Sequence, residues 1–235
     1  MRELPLSDLI GLLWFVALWV GYTLYTDRGA PRPHSLRASM HRNRYLWMTQ
    51  ILKRENRIMD TQVLGQLAQG ASFFASTTLL ILVGLFTVLG ALDEAVVTLR
   101  RIPYADKVTT LQWELRLLAL IVIFVHAFFK FTWALRQFNY CAVLVGAAPG
   151  PKEGGDEEWV RRTAWLSTLA SKDFNQGLRA YYFGLSVIAW FVNGWLFMVA
   201  TALVVAVLYW REYRSEALRT LELPASRGLP DRLLP

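Results

Sequence analysis

The sequence predicts an all-α polytopic membrane protein, with four transmembrane helices and two amphipathic helices leading into spans two and four. Three observations carry this expectation. Of 235 residues, 54% are hydrophobic and 14% aromatic, with ten tryptophans and a mean hydropathy of +0.31. The apolar residues gather into runs long enough for the roughly 20 residues that a membrane helix needs. Lysine and arginine collect between those runs, as they do in cytoplasmic loops. That distribution accounts for the net charge of +7 and the pI near 9.8 without a nucleic-acid partner. Cys141 is the single cysteine, so no disulfide can form within the chain.

Span one is read at residues 9–26 (LIGLLWFVALWVGYTLYT). Glu3 and Asp8 precede it and no small-residue cleavage pattern follows, so it is expected to be retained rather than removed as a signal peptide. Prolines and a glycine in Asp27–Pro33 end it. In residues 35–64, Leu36, Met40, Trp47, Ile51 and Ile58 recur at helical spacing opposite Arg42 and Lys53, although Arg54 falls on the apolar stripe. With no proline to interrupt it, this amphipathic helix is expected to run on into span two. There Ala71 and Ala75, and Ser72 and Ser76, stand four apart and would let another helix approach closely.

Span three, Leu117–Ala147, is apolar yet contains His126, Lys130 and Arg136. An ionisable group near the middle of a membrane helix costs at least about 2.5–3.5 kcal/mol and is a functional-site hypothesis by default. At 100° per residue His126, Lys130, Trp133 and Gln137 share a narrow stripe, with Phe124, Phe128, Phe131 and Phe138 on the far side. The expectation is that the polar stripe faces the protein interior and the phenylalanines face lipid or apolar neighbours. The breaker run AAPGPKEGG (147–155) follows, then an acidic helix start at Asp156–Glu158 and an amphipathic helix leading into span four at about 182–210. Asn193 falls near the centre of that span. Residues 1–215 are read as one transmembrane domain, and 216–235 as a tail that is largely disordered at its end.

Counting Lys and Arg outside the spans gives eight in the first connection, four in the second, five in the third, one before span one and five in the tail. The first connection decides the orientation: 28–65 and 148–180 cytoplasmic, both termini outside, in a bacterial inner membrane. Arg211 and Arg214 argue against it.

Three segments also carry a family resemblance: RNRYLWMTQILKRENRIMDTQVLGQLAQGASFFASTT, HAFFKFTWALRQFNYCAVLVGAAP and FNQGLRAYYFGLSVIAWFVNGWLFMVATALVVAVLYWREY. They resemble the domain-of-unknown-function 599 family of four-span membrane proteins from bacteria and plants, over most of residues 5–215. The resemblance implies a four-helix integral membrane protein and brings no activity, cofactor or catalytic residue with it.

The chemistry-bearing residues are few. His34, His41 and His126 are the only histidines and show no paired-ligand spacing, so no metal or other cofactor is expected. There is no GxSxG and no phosphate-binding glycine loop. The candidate intramembrane polar site is His126, Lys130, Gln137 and Asn193. It serves either a transport path or a structural role, in which a carboxylate such as Asp60 or Asp173 satisfies Lys130. Asp60 and Arg179 form a candidate cytoplasmic pair, with Arg57 as the other partner open to Asp60. The leading functional reading is a small channel- or transporter-like helical bundle. The alternative is an accessory or assembly subunit that binds another membrane protein; the partners expected are the lipid bilayer and either a second copy, as an oligomeric channel would need, or another membrane protein. A lipid-active membrane enzyme ranks third, behind these two non-enzymatic readings.

Overall fold

A computed structural model describes residues 6–27, 34–92, 110–151 and 156–221, and among these every regular element is helical. The helices are α1 (Leu6–Asp27), α2 (Leu36–Leu52), α3 (Ile58–Gly90), α4 (Thr110–Gly146), α5 (Glu157–Trp190), α6 (Gly194–Tyr213) and α7 (Glu216–Leu221). Four segments are long and apolar enough to cross a membrane: Asp8–Asp27, Ile58–Gly90, Thr110–Gly146 and Gly194–Leu221, the last containing α6. The sequence-read turn at 28–33, the connection 93–109, the loop residues 152–155 and the tail 222–235 lie outside the described residues.

Two helix boundaries differ from expectation. The helix entering span two is not continuous, because α2 stops at Leu52 and α3 starts at Ile58. No proline is needed for the break. The Lys53 amide bonds back to Gln50 and Ile51, and Asn56 Oδ1 accepts the Ile58 amide at 2.9 Å, a side-chain turn that starts the next helix. Arg54 thus leaves the apolar stripe of α2. The fourth apolar run is also divided: α5 ends at Trp190, and Asn193 Oδ1 accepts the Trp195 amide at 2.8 Å to open α6. Asn193 therefore sits in a turn rather than in mid-span.

Contacts divide the chain into two compact units, and the division falls inside α3, α4 and α5. The first unit comprises residues 1–26, 75–129 and 176–208. Its described charged and histidine residues are Asp8, Glu114, Arg116, His126 and Arg179. That is the composition of a body immersed in hydrocarbon. Phe15 on α1 meets Phe183 edge-on at 5.7 Å and Phe197 at 5.3 Å, while Trp190 stacks on Phe197 at 4.8 Å. Ser186 and Thr201 hydroxyls are 3.3 Å apart, so α5 and α6 pair as an antiparallel hairpin around the 191–193 turn. Glycine permits the tightest contacts, since a Cβ at Gly11 would stand 3.3 Å from the Phe197 ring and one at Gly184 3.3 Å from Phe124. Thr78 and Tyr181 hydroxyls, 2.8 Å apart, tie α3 to α5.

The second unit comprises 27–74, 130–175 and 209–235. It packs α2, the first half of α3, the second half of α4 and the first half of α5 around Met48, Ile51, Leu64, Phe138, Cys141, Val145 and Val160. Charged side chains cover much of it, as on a helical domain standing in water. Ser35 caps α2 by accepting the Ala38 amide at 3.2 Å. Arg57 caps the C-terminal end of α4 through the carbonyls of Ala148, at 2.6 Å, and Pro149. Trp159 Nε1 reaches the Leu144 carbonyl at 3.2 Å, and α7, formed by the start of the expected tail, packs against α2.

This second unit corrects the expected placement of the C-terminus. The Arg37 amide donates to Glu212 Oε1 at 3.1 Å, a contact that no membrane can interrupt. The end of α6 therefore lies beside the start of α2, on the side of the first connection rather than across a membrane from it.

This placement predicts a labelling pattern. In a Cys141→Ala background, cysteines placed at exposed Glu55 and Arg214 should respond alike to an impermeant thiol reagent, in intact cells and in inverted vesicles. Opposite labelling of the two positions would contradict it.

Candidate functional site

The polar stripe of α4 does not face the interior as a whole. Phe124, Phe131 and Phe138 are buried, whereas His126 and Trp133 are exposed. At 100° per residue, the stripe lies about a quarter-turn from the centre of the buried face. It flanks that face, because packing the large phenylalanines inside removes far more apolar surface from water or lipid-headgroup contact than a lysine and a glutamine could. His126 meets Trp19 edge-on at 5.7 Å within the first unit.

Within the second unit Lys130 is half-buried on the flank and Gln137 is buried, and both reach α5. Lys130 Nζ donates to Asp173 Oδ1 at 2.9 Å, and Gln137 Nε2 donates to Asp173 Oδ2 at 2.7 Å. The side chains of Lys130 and Asp173 are 30% and 14% exposed. Phe74, Phe131 and Phe174 form an aromatic cluster in the same unit, with Phe74 stacked on Phe131 at 5.2 Å and Phe174 edge-on to both. Both carboxylate oxygens of Asp173 are thus engaged, and the lysine charge is matched locally. Of the two carboxylates the sequence offered to Lys130, Asp173 takes the place.

The other candidate pair does not form. Asp60 Oδ1 accepts from Trp47 Nε1 at 2.7 Å and from Arg54 Nη1 at 2.6 Å. Arg57 bonds the α4 end instead, and Arg179 bonds Thr26 and lies over the Tyr22 ring. Among the expected packing residues, Ala71 and Ala75 are buried, Ser72 is half-buried and Ser76 is exposed. The small-residue face is therefore an alanine face, which Ala68 extends.

Two polar clusters lie outside these candidates. In the first unit Asp8, buried in the first turn of α1, accepts from Trp190 Nε1 at 3.0 Å, Gln112 Nε2 at 3.2 Å and Arg116 Nη2 at 3.3 Å. Arg116 also lies over the Trp190 ring at 5.5 Å. The available signal was that Arg116 shares a helical face with Trp113 and Leu120, so a buried guanidinium needed a carboxylate. In the second unit α2 and α5 meet across hydroxyls. Thr168 Oγ1 donates to the Ala164 carbonyl at 2.9 Å, so it accepts from His41 Nδ1 at 2.9 Å, which sets the proton on Nδ1. Arg44 Nη2 donates to Ser171 Oγ at 2.8 Å. Burial pulls the Arg44 guanidinium down to about 10, which leaves it charged at neutral pH. Among the described residues, no three His, Cys, Asp or Glu side chains converge as a metal site would require.

Apolar helices of membrane-spanning length, closed by paired interior charges, define a helical integral membrane protein. Residues 10–217 match the family described as protein of unknown function, DUF599, and the chain belongs to it. No curated protein and no solved structure matches the chain.

The Asp8 cluster makes a strong energetic demand. Asp8→Asn should cost about 3–5 kcal/mol by leaving the Arg116 charge buried without its counter-ion. The double variant Asp8→Leu/Arg116→Met should regain most of that loss, because it removes both charges. Thermal melts in detergent measure both, and an Asp8→Asn protein as stable as the wild type would contradict the pairing.

Proposed function

We propose that this chain is a non-enzymatic integral membrane subunit that works by assembling with membrane protein, rather than by conducting ions through its own bundle. The observation that carries this reading is that two α4 cations, Lys130 and Arg116, find carboxylates within the fold. Lys130 pairs with Asp173, and Arg116 pairs with Asp8. A path in which Lys130 holds a passing anion needs that lysine free of a fixed counter-ion, and Asp173 already engages it with both oxygens committed. His126, the other ionisable member of the stripe, lies on the surface beside Trp19. In this reading residues 28–65 and 148–180 face the cytoplasm of a bacterial cell from its inner membrane. The basic residues of the second unit support that orientation.

The test is extraction in native lipid with mass measurement, alongside ion flux in liposomes. A mass above that of one chain and no flux under any ionic gradient are expected. A monomer that conducts ions, and loses conductance or selectivity on Lys130→Met while remaining folded, would replace this reading with the transport one.

A further inference from the structure

We infer that the seam between α2 and α5 binds a small inorganic anion, held by the Arg44 guanidinium and the hydroxyls of Ser167 and Thr163. The site lies within the second unit and is independent of the assembly reading. Arg44 Nη2 donates to Ser171 Oγ, and no described carboxylate pairs with the guanidinium. Other cations of the unit do have one: Arg37 stands against Asp27, Arg54 against Asp60 and Arg161 against Glu158. Cys141 lies close enough to act on Arg44, but it offers a thiol in place of a carboxylate. Taking a guanidinium out of water costs free energy that a counter-ion ordinarily offsets.

The second observation concerns hydroxyls. Thr163, Ser167 and Ser171 stand four apart on α5 and line one stripe. A helical hydroxyl can donate to the carbonyl four residues back, as Ser171 does to Ser167 at 3.1 Å and Thr168 to Ala164. Thr163 Oγ1 and Ser167 Oγ do not. Both residues are 0% exposed, and neither oxygen has a hydrogen-bond partner among the described residues. Each keeps a proton to give, and a buried group in that state calls for an acceptor.

The helix directions bring the cation to these hydroxyls. His41 bonds Thr168 while Tyr45 reaches back to Glu157, so α2 runs antiparallel to α5. Arg44 therefore leaves α2 at a level between those two contacts and must pass Ser167 to end on Ser171. A water molecule there would satisfy the hydroxyls and leave the charge unmatched. An anion does both, accepting from the guanidinium and from both hydroxyls. Because the two hydroxyls are closed off from the surface, the ion must be small enough to be enclosed. That favours a halide over a phosphate, whether free or on a lipid headgroup.

Thermal melts of the full chain in detergent test this, with chloride exchanged stepwise for gluconate at constant ionic strength. The wild type should gain stability with chloride to a saturating value, and bromide should replace chloride. Arg44→Gln should abolish the dependence. Ser167→Ala removes an atom with no partner in the fold, so it keeps the test readable if Arg44→Gln does not fold. It should raise the half-saturating chloride concentration about tenfold, the effect of one charge-assisted hydrogen bond. A wild-type melt indifferent to the anion would mean that water fills the seam, and would overturn the inference. So would a half-saturating concentration unchanged in Ser167→Ala, or stabilisation by phosphate or by anionic-lipid vesicles but not by chloride.

Discussion

The carboxylate of Asp173 is the contact on which the second unit's packing depends. It holds Lys130 and Gln137, two turns apart on α4, to one point on α5. A lysine on the flank of an apolar helix is tolerable only with its counter-charge in place, so the pair fixes the register between α4 and α5 as well as satisfying a charge. Any sliding of one helix by a turn would separate Lys130 from Asp173 and leave two charges in a partly desolvated site. The first unit uses the same device where Asp8 on α1 meets Arg116 on α4 and Trp190 at the end of α5. In both units apolar packing supplies most of the driving force, and a matched pair selects one alignment among many similar apolar ones.

The architecture was largely legible, because span length and hydrophobic runs are one-dimensional properties that follow directly from bilayer thickness. Spacing alone also puts Ala71 and Ala75 on one face, and both are buried. The orientation of the α4 stripe was not. Periodicity shows that His126, Lys130 and Gln137 share a face, but which face is buried depends on which neighbours compete for it. Phe124, Phe131 and Phe138 won that competition. The Asn193–Gly194 pair is a turn signal in its own right; read as one polar residue in a long apolar run, it gave a single span where the chain makes a hairpin. Asp8 with Arg116 was out of reach of local patterns, because its partners lie 108 residues apart.

With α5 and α6 antiparallel, the end of α6 returns toward the start of α2, and Glu212 reaches Arg37. The outward surfaces of the two units then differ in kind. In the first unit Leu80, Val83, Phe129 and Trp195 are exposed, as lipid contact requires. In the second, the exposed first turns of α5 carry Glu157, Glu158, Arg161 and Arg162.

The most direct test of the central claim is a double-mutant cycle between Lys130 and Asp173, with Lys130→Met, Asp173→Asn and the pair combined, read by reversible unfolding in detergent or lipid. A structural pair predicts that each single substitution destabilises and that the two together cost less than their sum, with a coupling of about 1–3 kcal/mol. A coupling near zero, with both single variants as stable as the wild type, would mean that the charges do not hold α4 to α5, and would contradict the account.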